Sequence, residues 1–188
     1  MEEQDLLFFV TKMLDKDEPV FIHGELVARI SCAIAKNMKY PDEEVKIIRQ
    51  AGFVHDIGKL QLPDEIINKP GRLSLAEFTV VKNHAQIGYC LLQRIKADIA
   101  VAKVALQHHE RLDGSGYPFG LRGEAIIPAA RIVAVADIVA AMISPRPYRA
   151  ALDVSQAAQE ISRGSGLLYD RQIVDICLLL IKKGKICI

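Results

Sequence analysis

The chain has 188 residues, is 51% hydrophobic, contains no tryptophan and carries a formal net charge of +1. That length supports one domain with its own core. The balanced charge excludes binding of long nucleic acid by electrostatics alone, but a few local cations could still hold a small anionic ligand.

Apolar periodicity predicts a helix over 2–15 and a second over 20–38, with Val20, Leu26, Val27, Ile30 and Ile34 on one face. Pro41 and Asp42 open a third, expected to run to about Ile57 and stop at Gly58. Pro63-Asp64-Glu65 begins a short helix that breaks near Lys69-Pro70-Gly71. Ser74 and Glu77 form a capping-box pattern, and the helix they open is expected to carry His84. Another helix is predicted over about 97–109. Glu110 to Pro128 differs: Gly114, Gly116, Gly120, Gly123, Pro118 and Pro128 mark a long structured loop, a kind of segment that often carries function. Helix returns at 128–143 and is stopped by Pro145 and Pro147; two more follow near 153–163 and 170–183. No strand pattern, repeat or linker is visible. The expected fold is a single all-α domain, with a core over roughly 20–175, an N-terminal helix within 1–19 and a C-terminal helix within 170–188.

Cys32, Cys90, Cys177 and Cys187 form no CxxC pair, and are expected to be reduced core residues of a cytoplasmic protein. The N-terminus, MEEQDLLFFV, is acidic ahead of its apolar run, unlike a secretory signal. The late apolar run from Ile176 to Ile181 is too short to span a bilayer, so no membrane partner is expected.

The five histidines are His23, His55, His84, His108 and His109. Two compact motifs hold three of them: HDIGK, with His55 and Asp56, and HHERLDGSGYP, with His108 and His109. Adjacent helical residues diverge by about 100°. His55 and Asp56 therefore reach one metal only near a helix end, or serve two metals between them. A carboxylate can bridge two cations, whereas an imidazole binds one. Asp137 lies among Ala and Val, where an unpaired acid is costly to bury and a metal would relieve that cost. Each feature has a plainer reading alone. His23 could be a satisfied core residue, His108-His109 a helix end, and Asp137 a partner of Arg131 or of an arginine in 146–149. The order H…HD…H…HH…D, with a helix for nearly every member, points to a His/Asp metal centre and hydrolytic chemistry.

That order resembles the HD-domain metal-dependent phosphohydrolases, and in detail the HD-GYP family. HDIGK at 55–59, HAQIG at 84–88, HHERLDGSGYP at 108–118 and RIVAVADIVAAMISPRPYR at 131–149 carry the resemblance. It implies an all-helical bundle of the HD phosphohydrolase type. It also implies a cytoplasmic phosphodiesterase that opens cyclic di-GMP, a bacterial second messenger, to the linear dinucleotide and sometimes on to GMP. His23, His55, Asp56, His84, His108, His109 and Asp137 would be metal ligands, with Asp56 bridging. Lys59 would lie beside the scissile phosphate. Tyr117, with Gly116 and Pro118 around it, Arg146 and Arg149 would contact substrate. Two divalent ions are implied, iron or manganese, with zinc, nickel or magnesium as alternatives. A homodimer, or a fused or associated sensor domain, is the expected protein partner. About twenty residues precede the core, which suits either a stand-alone protein or a separated piece.

Three positions depart from the family pattern. Pro19 stands where some members have a third-metal Glu, which favours two metals. Ala140 replaces a second Asp after Asp137, and Pro145 replaces the Asp of SDRPYR. They bear on substrate positioning, rate and metal preference. Two alternative functions follow: hydrolysis of another cyclic dinucleotide or nucleotide, and a catalytically weak sensor of cyclic di-GMP.

Overall fold

The computed structural model describes residues 18–144 and 153–186. The helix expected over 2–15, together with Pro145, Arg146, Arg149 and Cys187, lies outside them. The described residues form α1 (Glu18–Asn37), α2 (Asp42–Val54), a 3-10 turn (Ile57–Gln61), α3 (Asp64–Ile67), α4 (Leu75–Lys82), α5 (His84–Arg94), α6 (Ile99–Gln107), a second 3-10 turn (Gly123–Ala125), α7 (Pro128–Ile143), α8 (Val154–Arg163) and α9 (Arg171–Lys182). No strand forms among them; two isolated bridges, Asp113 with Arg122 and Ser165 with Tyr169, tighten loops. The chain is the expected single all-α domain.

Helix α7 is the axis of the molecule. Proline at its start suits a position whose amide has no helical partner. From Ala130 to Ala140 only Ile138 escapes full burial, so the helix is apolar on nearly every side. Alanines at 130, 134, 136 and 140 let α1, α2, α6 and α8 approach closely. Each fully buried Ile or Val here contributes about 1.5–3 kcal/mol. Asp137 sits in the middle of this apolar helix.

Helix α1 packs along α2 and α7, and α6 packs between α2 and α5. Acidic residues Asp42, Glu43 and Glu44 occupy the first turn of α2, where they favour the helix dipole. Asp98 caps α6 through the Ala100 amide, at 2.7 Å. Helix α9 covers α1, α7 and α8 with Ile173, Val174, Cys177 and Leu180. Ile186 is buried too, so the chain beyond α9 closes the core.

Two boundaries differ from the expected ones. Helix α2 ends at Val54, not near Ile57. His55 folds back and donates from Nδ1 to the Gly52 carbonyl at 2.7 Å, and the chain then tightens into the 3-10 turn. Gly58 marks this turn for a steric reason. A Cβ there would overlap the His84 carbonyl and crowd the Gly88 amide, so glycine lets the turn lie against α5. The helix opened by Ser74 ends at Lys82, and His84 begins a separate one. At this break Asn83 donates to Val80, while the His84 ring takes the Val81 carbonyl at 2.6 Å. The capping box of Ser74 and Glu77 is present as expected.

Cysteine burial is also uneven. Cys177 is buried and Cys32 half-buried, but Cys90 is exposed and not a core residue; all three are free thiols. No helix among the described residues is long and apolar enough to cross a membrane.

Candidate metal centre

Five elements converge on one buried cluster. Helix α1 supplies His23, the junction after α2 supplies His55 and Asp56, α5 supplies His84, the end of α6 supplies His108 and His109, and α7 supplies Asp137. All seven ligand positions expected from the sequence are brought together. Each motif lies at a helix end or a helix crossing, so five short rigid pieces aim inward at once.

The ligand atoms fall into two groups, each within 4.8 Å: Asp56 with His84, His108 and His109, and His23 with His55 and Asp137. In the first, Asp56 Oδ1 lies 3.2 Å from His84 Nε2 and 3.7 Å from His108 Nε2. In the second, Asp137 Oδ1 lies 2.9 Å from His23 Nε2 and 3.7 Å from His55 Nε2. Asp56 spans the two, because its Oδ2 lies 3.4 Å from His55 Nε2. Lys59, one turn further on, donates to the same Oδ2 at 2.5 Å.

The tautomers follow from backbone partners. His55, His84 and His108 each have Nδ1 against a main-chain carbonyl: Gly52, Val81 and Ala105. A proton on each Nδ1 leaves Nε2 bare and turned inward, the arrangement a metal-binding histidine needs. As a result, Nε2 of His84 and Nε2 of His108 face each other at 3.4 Å with no proton between them. His55 Nε2 and Asp56 Oδ1 are buried without hydrogen-bond partners. Opposed lone pairs beside an orphaned carboxylate oxygen are costly unless a cation sits among them. The residues therefore fit divalent metal in both groups.

Electrostatics agree at every one of these residues except His55. Burial opposes charge on Asp56, but Lys59, His55 and His108 outweigh it and hold its carboxyl well below the usual range. Burial opposes charge on Asp137 too, and is outweighed by the His23 hydrogen bond and by His55 and His109. Burial pushes His84 down to about 4 and lowers His23, His108 and His109. His55 moves the other way: burial lowers it, but Asp56 and Asp137 prevail. Ionised carboxylates and neutral imidazoles are the protonation states that metal binding requires.

The Gly-rich loop roofs the first group. Tyr117 lies on His109, with 4.6 Å between ring centroids and 32° between planes, and its amide donates to the His109 carbonyl. Gly116 passes so close to the backbone of His109, Glu110 and Arg111 that a Cβ would overlap it. Pro118 follows through a cis peptide bond. Burial raises the Tyr117 hydroxyl above its ordinary value, so it remains protonated.

Glu110 holds this loop and was not singled out in the sequence. It is 2% exposed, and its carboxylate accepts from the Phe119 and Leu121 amides at 2.8 and 2.9 Å. An acid at the mouth of a long Gly-rich loop is the signal that could have revealed it. Arg131 does not pair with Asp137; it donates to the Ile126 carbonyl and meets Glu124 and Asp170. Ala140 is fully buried in α7 and brings no second carboxylate.

Comparison with known proteins identifies the family. The HD domain family model matches residues 9–173. The chain is 43% identical over 156 residues to the cyclic di-GMP phosphodiesterase response regulator RpfG of Xanthomonas campestris, covering 82% of this chain and 41% of that protein. It is 41% identical over 189 residues to a cyclic di-GMP phosphodiesterase of Thermotoga maritima, covering 97% of this chain and 51% of that protein. The chain thus spans about half or less of these curated relatives. Among solved structures, Bd1817, an HDG"Y"P protein from Bdellovibrio bacteriovorus, superposes with a TM-score of 0.74 at 24% identity, over 88% of this chain and 53% of that one.

Proposed function

The chain belongs to the HD domain family, and we propose that it is of the HD-GYP type and hydrolyses cyclic di-GMP to the linear dinucleotide. The observation that carries this reading is the position of Asp56. One oxygen faces His84 and His108, and the other faces His55. A single carboxylate therefore joins two His-rich groups and would serve both if each held a cation. Iron(II) or manganese(II) suits a ligand set of imidazoles and carboxylates without thiolate. Such ions, when bound, lower the pKa of a coordinated water and draw charge from the phosphate oxygens.

The remaining roles belong to the chain's own residues. His23, His55 and Asp137 would hold one side of the centre; His84, His108 and His109 would hold the other. The Gly52, Val81 and Ala105 carbonyls fix three of the imidazoles, so little reorganisation is needed on binding. Lys59 is 21% exposed and sits on the open side of Asp56. It is placed to exchange that carboxylate for a phosphate oxygen and to offset charge as the transition state forms. Water adds across one P–O3′ bond. Its oxygen stays on phosphorus, and the ribose O3′ leaves with a proton. Gly116 and Pro118 set the Tyr117 ring at the mouth, where its hydroxyl can donate to the nucleotide. Arg146 and Arg149 are further proposed substrate contacts and lie outside the described residues.

The test is turnover by anaerobically purified protein supplied with Fe(II) or Mn(II), using cyclic di-GMP, cyclic GMP-AMP and cyclic di-AMP, with products separated by chromatography. Cyclic di-GMP is expected to give the linear dinucleotide with the highest kcat/KM. A preference of about tenfold for another cyclic dinucleotide, equivalent to about 1.4 kcal/mol, would replace the substrate. No product from any of the three would remove the enzymatic reading.

A further inference from the structure

Helix α4 buries none of its residues, yet it is firmly tied. Its capping box closes the first turn, and Lys69 donates to both oxygens of Glu77 at 2.7 and 2.8 Å. Its last turn touches the metal centre, where His84 Nδ1 donates to the Val81 carbonyl. A helix that contributes so little to the core and is still held in place is available to a ligand.

Phe78 and Lys82 are four residues apart and share one face of α4. That face meets Tyr117. Phe78 stands nearly perpendicular to Tyr117, with 6.2 Å between centroids and 83° between planes, and is 41% exposed. The two rings form a corner beside His109, exposed on its Phe78 side. Lys82 Nζ lies 5.0 Å from the Phe78 centroid and 5.7 Å from the Tyr117 centroid. Among the described residues no carboxylate lies within ion-pair distance of Lys82, whereas Lys59 is engaged by Asp56. Lys82 is thus a second cation at the Tyr117 side of the site, held among the described residues by weak cation–π contacts.

Resting on the reading above, we propose that Phe78, Lys82 and Tyr117 form a subsite for the half of the cyclic dinucleotide that is not cut. A cyclic dinucleotide carries two phosphates, and the metal centre engages one. The corner of Phe78 and Tyr117 takes a purine by stacking. Lys82 leaves the rings to hold the second phosphate, exchanging a weak contact for a charge-assisted one. Phe78 and Lys82 bind substrate here and take no part in breaking the bond.

The experiment compares kcat/KM for cyclic di-GMP with kcat/KM for bis(p-nitrophenyl) phosphate, a diester with no purine and no second phosphate. Lys82→Met keeps the aliphatic stem, Phe78→Leu removes the flat face, and Lys82→Arg keeps the charge. The ratio of the two values is expected to fall about tenfold in Lys82→Met and in Phe78→Leu, and to return to within about twofold in Lys82→Arg. A disturbance of α4 or of His84 lowers both substrates together and leaves the ratio in place. An unchanged ratio in Lys82→Met and Phe78→Leu, with cyclic di-GMP still cut by the unaltered chain, overturns the subsite alone. An unaltered chain that cuts the small diester but not cyclic di-GMP overturns the substrate reading, and the subsite with it.

Discussion

Replacing Asp56 with asparagine is expected to lower kcat/KM for cyclic di-GMP by about a thousandfold, a loss of about 4 kcal/mol in transition-state stabilisation. The side chain keeps its shape, but one anionic oxygen becomes a neutral amide donor. Asp56 is the only carboxylate placed between both histidine groups among the described residues, so no neighbour substitutes for it. Asp137 lies on the far side, with His23. Bound metal should fall together with turnover, while the helical fold remains. Metal content and steady-state kinetics on the same preparation check this. Activity within about twofold of the parent would remove Asp56 from the bridging role.

Glu110→Ala is expected to act through the roof of the site. It removes the acceptor of the Phe119 and Leu121 amides at once. Leaving two donors without partners costs on the order of 3 kcal/mol. For a domain of this size that corresponds to a Tm lower by about 10 °C. The loop that seats Tyr117 on His109 should open, so protease cleavage within 110–128 should accelerate and KM should rise. Glu110→Gln keeps one acceptor oxygen and should fall between the two. Thermal melting with limited proteolysis measures both effects. A parent-like melt in Glu110→Ala would mean that the two bonds are replaced by water at no cost.

What the sequence made legible follows from range. Helices appear in the 3.6-residue period, so α1, α6, α7, α8 and α9 fall within a few residues of their expected bounds. The seven candidate ligand residues were legible because their types and order are distinctive, and each lies on or beside a helix. The two missed boundaries are places where a histidine ring takes a carbonyl from the end of a helix: His55 at Gly52 and His84 at Val81. Periodicity cannot register a side chain competing with the helical ladder. Glu110 was missed because its partners lie nine and eleven residues away across an irregular loop. The α4 corner was missed because Phe78 and Lys82 gain significance only when Tyr117 is folded over them. Arg131 went to Glu124 and Asp170, instead of Asp137, because it sits near the start of α7, over a turn away from that carboxylate.

The most direct measurement is the metal content of the chain reconstituted anaerobically with Fe(II) or Mn(II) and then desalted, with cyclic di-GMP turnover assayed on the same sample. About two ions per chain, with linear dinucleotide formed and both lost on chelation, is the expected result. Full turnover after chelation has removed the metal, or two tightly held ions with no turnover of any cyclic dinucleotide, would contradict it.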